Sequence, residues 1–119
     1  MQNKYFEKIS KLLDQASPEL ATTHRVAFKN VFGAVGGYVN GRIFISCGKF
    51  GVALKLPSHT LESLFNKKFV KRLKYFPDGH VKKEYAVFPK KIVEDTRQFR
   101  TFVAESIQYA LSLGDSKLR

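Results

Sequence analysis

Between residues 67 and 91 the chain gathers Lys67, Lys68, Lys71, Arg72, Lys74, Lys82, Lys83, Lys90 and Lys91, with Phe69, Tyr75 and Phe76 among them and Phe65 just ahead. Cationic side chains at such spacings can contact successive phosphates, and interleaved rings can stack on bases. Lysine outnumbers arginine here, which favours point-charge contacts to a phosphate backbone over bidentate reading of guanine edges. Residues 61–92 carry nine basic and three acidic side chains, so +6 of the net +11 falls there, whereas residues 93–119 are balanced. A one-sided field of this kind can orient a polyanion. The same residues also suit a solvated face that maintains solubility, with the rings used as core, because no nucleic-acid recognition motif accompanies the charge.

Other chemistries find less support. Gly33, Gly36 and Gly37 lack the spacing of a dinucleotide or phosphate loop and precede a hairpin rather than a helix. They read instead as a twisted or bulged strand that lets a neighbouring segment approach closely. Cys47, His24, His59 and His80 form no CxxC, HxxxH or HExxH pair, so neither a metal nor another cofactor is expected. Cys47 shares strand parity with Ile43 and Ile45, which makes it a small core residue and an inert thiol rather than a nucleophile. With no base and orienting group in evidence, a binding module is expected rather than an enzyme. Small-molecule binding or catalysis is the remote alternative.

The elements that must position these residues follow from periodicity. A chain of 119 residues, 44% hydrophobic with eleven Phe and five Tyr, can bury roughly 65% of its unfolded surface and is expected to form one domain over residues 1–119. The absence of an apolar span, of a leader-like N-terminus and of a second cysteine points to a cytoplasmic protein without membrane insertion. Phe6, Ile9, Leu12, Leu13 and Ala16 recur at helical spacing over residues 3–16, with Lys4, Glu7, Lys8 and Lys11 between them, before Ser17-Pro18 ends the run. From Val31 to Leu56 the period becomes two, and Asn40-Gly41 is a strong type I′ hairpin signal. A turn at residues 48–51 leads to a third strand through Val52, Leu54 and Leu56.

A short helix opens at Pro57-Ser58, with Ser58 as its expected cap. Two more strands, over residues 73–76 and 84–88, are joined around Pro77-Asp78-Gly79. A final helix starts from an Asp95/Gln98 capping box, stops at Gly114 and leaves residues 115–119 frayed. The order α-β-β-β-α-β-β-α, joined by hairpins, implies an α+β fold with a mostly antiparallel sheet covered by helices. If Asn40-Gly41 is a two-residue turn, Val35, Val39 and Phe44 share one face opposite Tyr38, Ile43 and Ile45. Both faces are then apolar, so the face of Val35, Val39 and Phe44 is expected to meet a second copy or a protein partner.

The run Val31-Phe32-Gly33-Ala34-Val35, followed by Tyr38-Val39-Asn40-Gly41-Arg42-Ile43-Phe44, resembles the signature of the TfoX/Sxy N-terminal domain family. Leu54-Lys55-Leu56, Tyr75 to Gly79, Tyr85 to Pro89 and the helix from Ala104 to Leu113 with Tyr109-Ala110 fall where that family has counterparts. Val31 stands for the usual Met and Ala34 for the second Gly. The resemblance implies the α+β fold just described and a bacterial regulatory or adaptor domain that acts by binding protein, nucleic acid or both. In the competence regulators that name the family, this domain precedes a helical C-terminal domain and the whole acts with the cyclic-AMP receptor protein. A homodimeric protein-interaction module is the alternative.

Overall fold

The computed structural model describes residues 4–75 and 79–117. Its elements are α1 (Lys4–Ala16), α2 (Leu20–Thr23), β1 (Val26–Val31), β2 (Ala34–Val39), β3 (Arg42–Gly48), β4 (Gly51–Lys55), α3 (Ser58–Asn66), β5 (Lys71–Leu73), β6 (Lys82–Phe88), α4 (Lys90–Val93) and α5 (Thr96–Lys117). The six strands form one antiparallel sheet in the order β1-β2-β3-β4-β6-β5. The α+β architecture therefore matches the periodicity. Asn3, the Pro77-Asp78 part of the expected turn, Phe76 and the last two residues lie outside the described residues.

Helices α1 and α5 cover one face of the sheet. On α1, Ile9, Leu13 and Ala16 are buried at steps of four and three. On α5, Phe99, Val103, Ile107 and Ala110 do the same. They close over a core that includes Val35, Val39, Phe44, Ile45, Val52 and Leu54. Asp95 caps α5 as expected, its Oδ1 accepting the Gln98 N–H at 3.1 Å. The helix runs through Gly114 to Lys117, so Gly114 is not a stop. Residues 115–117, expected to fray, are helical. Pro57 rather than Ser58 occupies the N-cap of α3, and no side chain caps it.

The Asn40-Gly41 turn is type I′, with φ of 49° and 83°. Asn40 also accepts the Arg25 N–H through its side chain at 2.9 Å. A second turn of the same kind, Phe32-Gly33 with φ of 50° and 82°, joins β1 to β2. Here a phenylalanine holds the place where asparagine is usual, and it conceals both the turn and β1 from a pattern reading. Gly33 thus lies in a turn, not in a strand.

Across β2 and β3 the pairing steps from Gly37–Ile45 to Tyr38–Ile43, leaving Phe44 as the extra residue of a β-bulge. The bulge turns Phe44 and Ile45 to the same helix-covered face, while Ile43 joins the other. Ile45 is therefore not opposite Phe44, and Cys47 shares its face with Ile45 but not with Ile43. The Phe44 carbonyl, displaced from the ladder, accepts the buried Ser106 Oγ at 2.7 Å. Gly37 is required beside the bulge, because a Cβ there would sit 2.6 Å from Ile45 Cγ2 and 3.5 Å from Ile9 Cδ1.

Val35, Val39 and Phe44, expected at a dimer or partner interface, are instead no more than 2% exposed. The chain's own α1 and α5 cover their face, so no partner can reach them. On the opposite face Ala53, Leu73, Tyr85 and Val87 form a smaller cluster with Ile43, Phe50 and Tyr75. β5 ends at Leu73, earlier than expected, because Tyr75 leaves the ladder and crosses this face to a 3.1 Å hydrogen bond with the buried Ser46.

Candidate polyanion-binding cleft

The basic residues of the sequence are divided by the fold. A cleft of about 810 Å3 lies between α1, the β3–β4 turn, the α3–β5 connection and the start of α4. Its rim carries Lys8, Lys11, Lys68, Lys71 and Lys90. Among the described residues its only acidic lining residue is Glu94, which pairs with Lys90 at 3.9 Å on an exposed surface where such a pair is worth little. Leu12, Phe50, Val52, Phe69, Phe88 and Val93 provide an apolar floor.

Three of the five lysines are placed by local rules. Burial of Ile9, Leu13 and Ala16 turns the opposite side of α1 outward, and Lys4, Lys8 and Lys11 follow one another there at steps of four and three. The end of α3 is a Schellman motif, in which the Phe69 N–H donates to Leu64 O at 3.2 Å and the Lys68 N–H to Phe65 O at 3.0 Å. Lys68 fills the position usually held by glycine, with φ of 57°. A left-handed lysine costs about 1–2 kcal/mol relative to ordinary helical backbone. That cost is sustained on the rim of the cleft.

Of the nine cations singled out in the sequence, Lys68, Lys71 and Lys90 meet at this cleft. Lys74 lines a second recess and Lys82 lies 6.0 Å above the Phe32 ring. Arg72 stacks over Phe65 at 4.4 Å, and Lys67, Lys83 and Lys91 are exposed but line neither cavity. Lys8 and Lys11 are the rim residues that reading the 67–91 run overlooks. Their signal was the four-then-three spacing on the polar side of the first helix.

The remaining candidates separate. Cys47 is fully buried in β3, and burial pushes its thiol up. His24 bonds Thr23 Oγ1 at 2.9 Å, His59 is exposed on α3, and His80 is exposed before β6. Among the described residues no three His, Cys, Asp or Glu side chains gather as a metal would require. No helix among them is long and apolar enough to cross a membrane.

The family model of the TfoX N-terminal domain matches residues 19–110. The chain belongs to that family. No curated protein matches it in sequence. The match covers the whole sheet, together with Lys68, Lys71 and Lys90, while α1 with Lys8 and Lys11 precedes it. One wall of the cleft in this TfoX N-terminal domain therefore comes from outside the matched segment.

Proposed function

We propose that this TfoX N-terminal domain is a non-enzymatic, cytoplasmic binding module that seats the phosphate backbone of nucleic acid in its lysine-rimmed cleft. The observation that carries this reading is the convergence of five lysines from separate parts of the chain against one acidic residue among those described. Cations collected by folding, rather than strung along one segment, focus a field at a concave surface. Lysine contacts are insensitive to base identity, so binding has little sequence preference. A regulatory role, of the kind the resemblance to competence regulators implies, would then act by holding nucleic acid for a further partner.

The apolar floor favours one second reading, an acidic amphipathic protein helix lying in the same cleft. Electrophoretic or fluorescence titration with duplex DNA and with a single-stranded oligonucleotide tests the first. Lys8, Lys11, Lys68 and Lys71 replaced together by Glu should abolish binding in 50 mM salt, whereas Arg97 and Arg100 replaced by Glu on the balanced α5 should weaken it only slightly. Equal sensitivity to both sets, or no binding by the unaltered protein, would rule out the nucleic-acid reading.

A further inference from the structure

Beside the lysine cleft lies a recess of about 430 Å3 whose walls include Tyr5, Phe32, Phe50 and Tyr75, with Lys49 and Lys74 at its margin. The two adjoin at Phe50, which lines both. A third pocket, lined by Lys4, Tyr5, Lys8, Gly48 and Lys49, shares Lys8 with the cleft and Tyr5 and Lys49 with the recess. Cations and aromatic rings thus lie side by side on neighbouring surfaces.

Phe32 is the unusual member. Its backbone φ is 50°, a region costly for a bulky side chain, and its side chain is 63% exposed. Asparagine would satisfy the type I′ turn with less strain, and an exposed ring contributes little to the core. Neither backbone nor burial accounts for phenylalanine here. What the ring does have is support, an edge contact to Tyr75 at 5.5 Å that continues to Phe50 at 5.5 Å, and the Lys82 ammonium 6.0 Å from its centre. A braced aromatic surface flanked by lysines suits an unpaired base whose phosphates follow the cations. Duplex bases are stacked on one another and would have to be flipped out, at a cost of about a few kcal/mol, to enter such a recess.

We infer that the polyanion recognised by this domain is single-stranded nucleic acid, with at least one unpaired base stacked against Phe32 in the recess while the adjoining backbone runs along the lysines. This rests on the phosphate-binding reading of the cleft. The test titrates a 15-nucleotide oligothymidylate and a 15-base-pair duplex into the unaltered protein, Phe32→Asn and Phe32→Trp. Phe32→Asn should melt no lower than the unaltered protein, because it eases the turn, yet bind the single strand roughly 5- to 150-fold more weakly. Its duplex affinity should be unchanged, and Phe32→Trp should retain single-strand binding. If Phe32→Asn binds the oligothymidylate as tightly as before, or loses both ligands alike, the stacking inference fails while salt-sensitive binding in the cleft stands. If the unaltered protein binds neither ligand at low salt, the underlying reading of the cleft fails with it.

Discussion

Replacing Lys68 by glycine should raise stability and lower polyanion affinity at once. Lys68 sits at φ 57° in the Schellman turn after α3, where a side chain costs about 1–2 kcal/mol. Glycine removes that strain but surrenders about 0.5–1 kcal/mol of additional backbone freedom on folding. The net gain is about 0–1.5 kcal/mol, centred on about 0.75, which for a domain of this size corresponds to a rise in Tm of up to roughly 6 °C. The same substitution deletes one cation from the rim. On duplex DNA the slope of log affinity against log salt should flatten by about 0.9, and affinity near 0.1 M salt should fall by up to about tenfold. Thermal melting by circular dichroism and fluorescence anisotropy between 50 and 200 mM salt read the two effects separately. Lys68→Asn, which also tolerates the left-handed region, should lose affinity without losing stability. A lower Tm for Lys68→Gly would refute the backbone argument, and an unchanged salt slope would remove Lys68 from the phosphate contacts.

Three further outcomes concern the scaffold. Ser106→Ala leaves the Phe44 carbonyl unpaired at a buried bulge and should cost about 1–3 kcal/mol in denaturant unfolding; no loss would mean that the bulge is satisfied otherwise. Burial raises Cys47 above its ordinary 9.0 and Tyr75 and Tyr85 above their ordinary 10.0. As pH climbs through those ordinary values the unfolded chain ionises first, so stability present at neutral pH should decline there, and Cys47 should resist thiol reagents until the protein unfolds.

The Asn40-Gly41 hairpin, the two amphipathic long helices and the basic character of the 67–91 run were legible because each follows from local chemistry: turn sterics, period and charge. The bulge was not, since one extra residue reverses strand parity from Ile45 onward without leaving a mark in an apolar run. That reversal moved Ile45 to the face of Phe44, and the helices then covered the face assigned to a partner. β1 was hidden because Phe32 occupies a position where asparagine would announce a turn. The cleft was half visible: Lys68, Lys71 and Lys90 belonged to the obvious charge run, but Lys8 and Lys11 join them only when α1 packs beside the β3–β4 turn.

The cleft is tested most directly by mapping amide chemical shifts in two-dimensional NMR while short nucleic acid is added in 50 mM salt. The largest changes should fall on Lys8 and Lys11 of α1, Phe50 and Gly51 of the β3–β4 turn, Lys68 to Lys71, and Lys90, with the outward side of α5 around Arg97 and Arg100 unmoved. Changes concentrated on α5, or spread evenly over the surface, would contradict a binding site at the lysine-rimmed cleft.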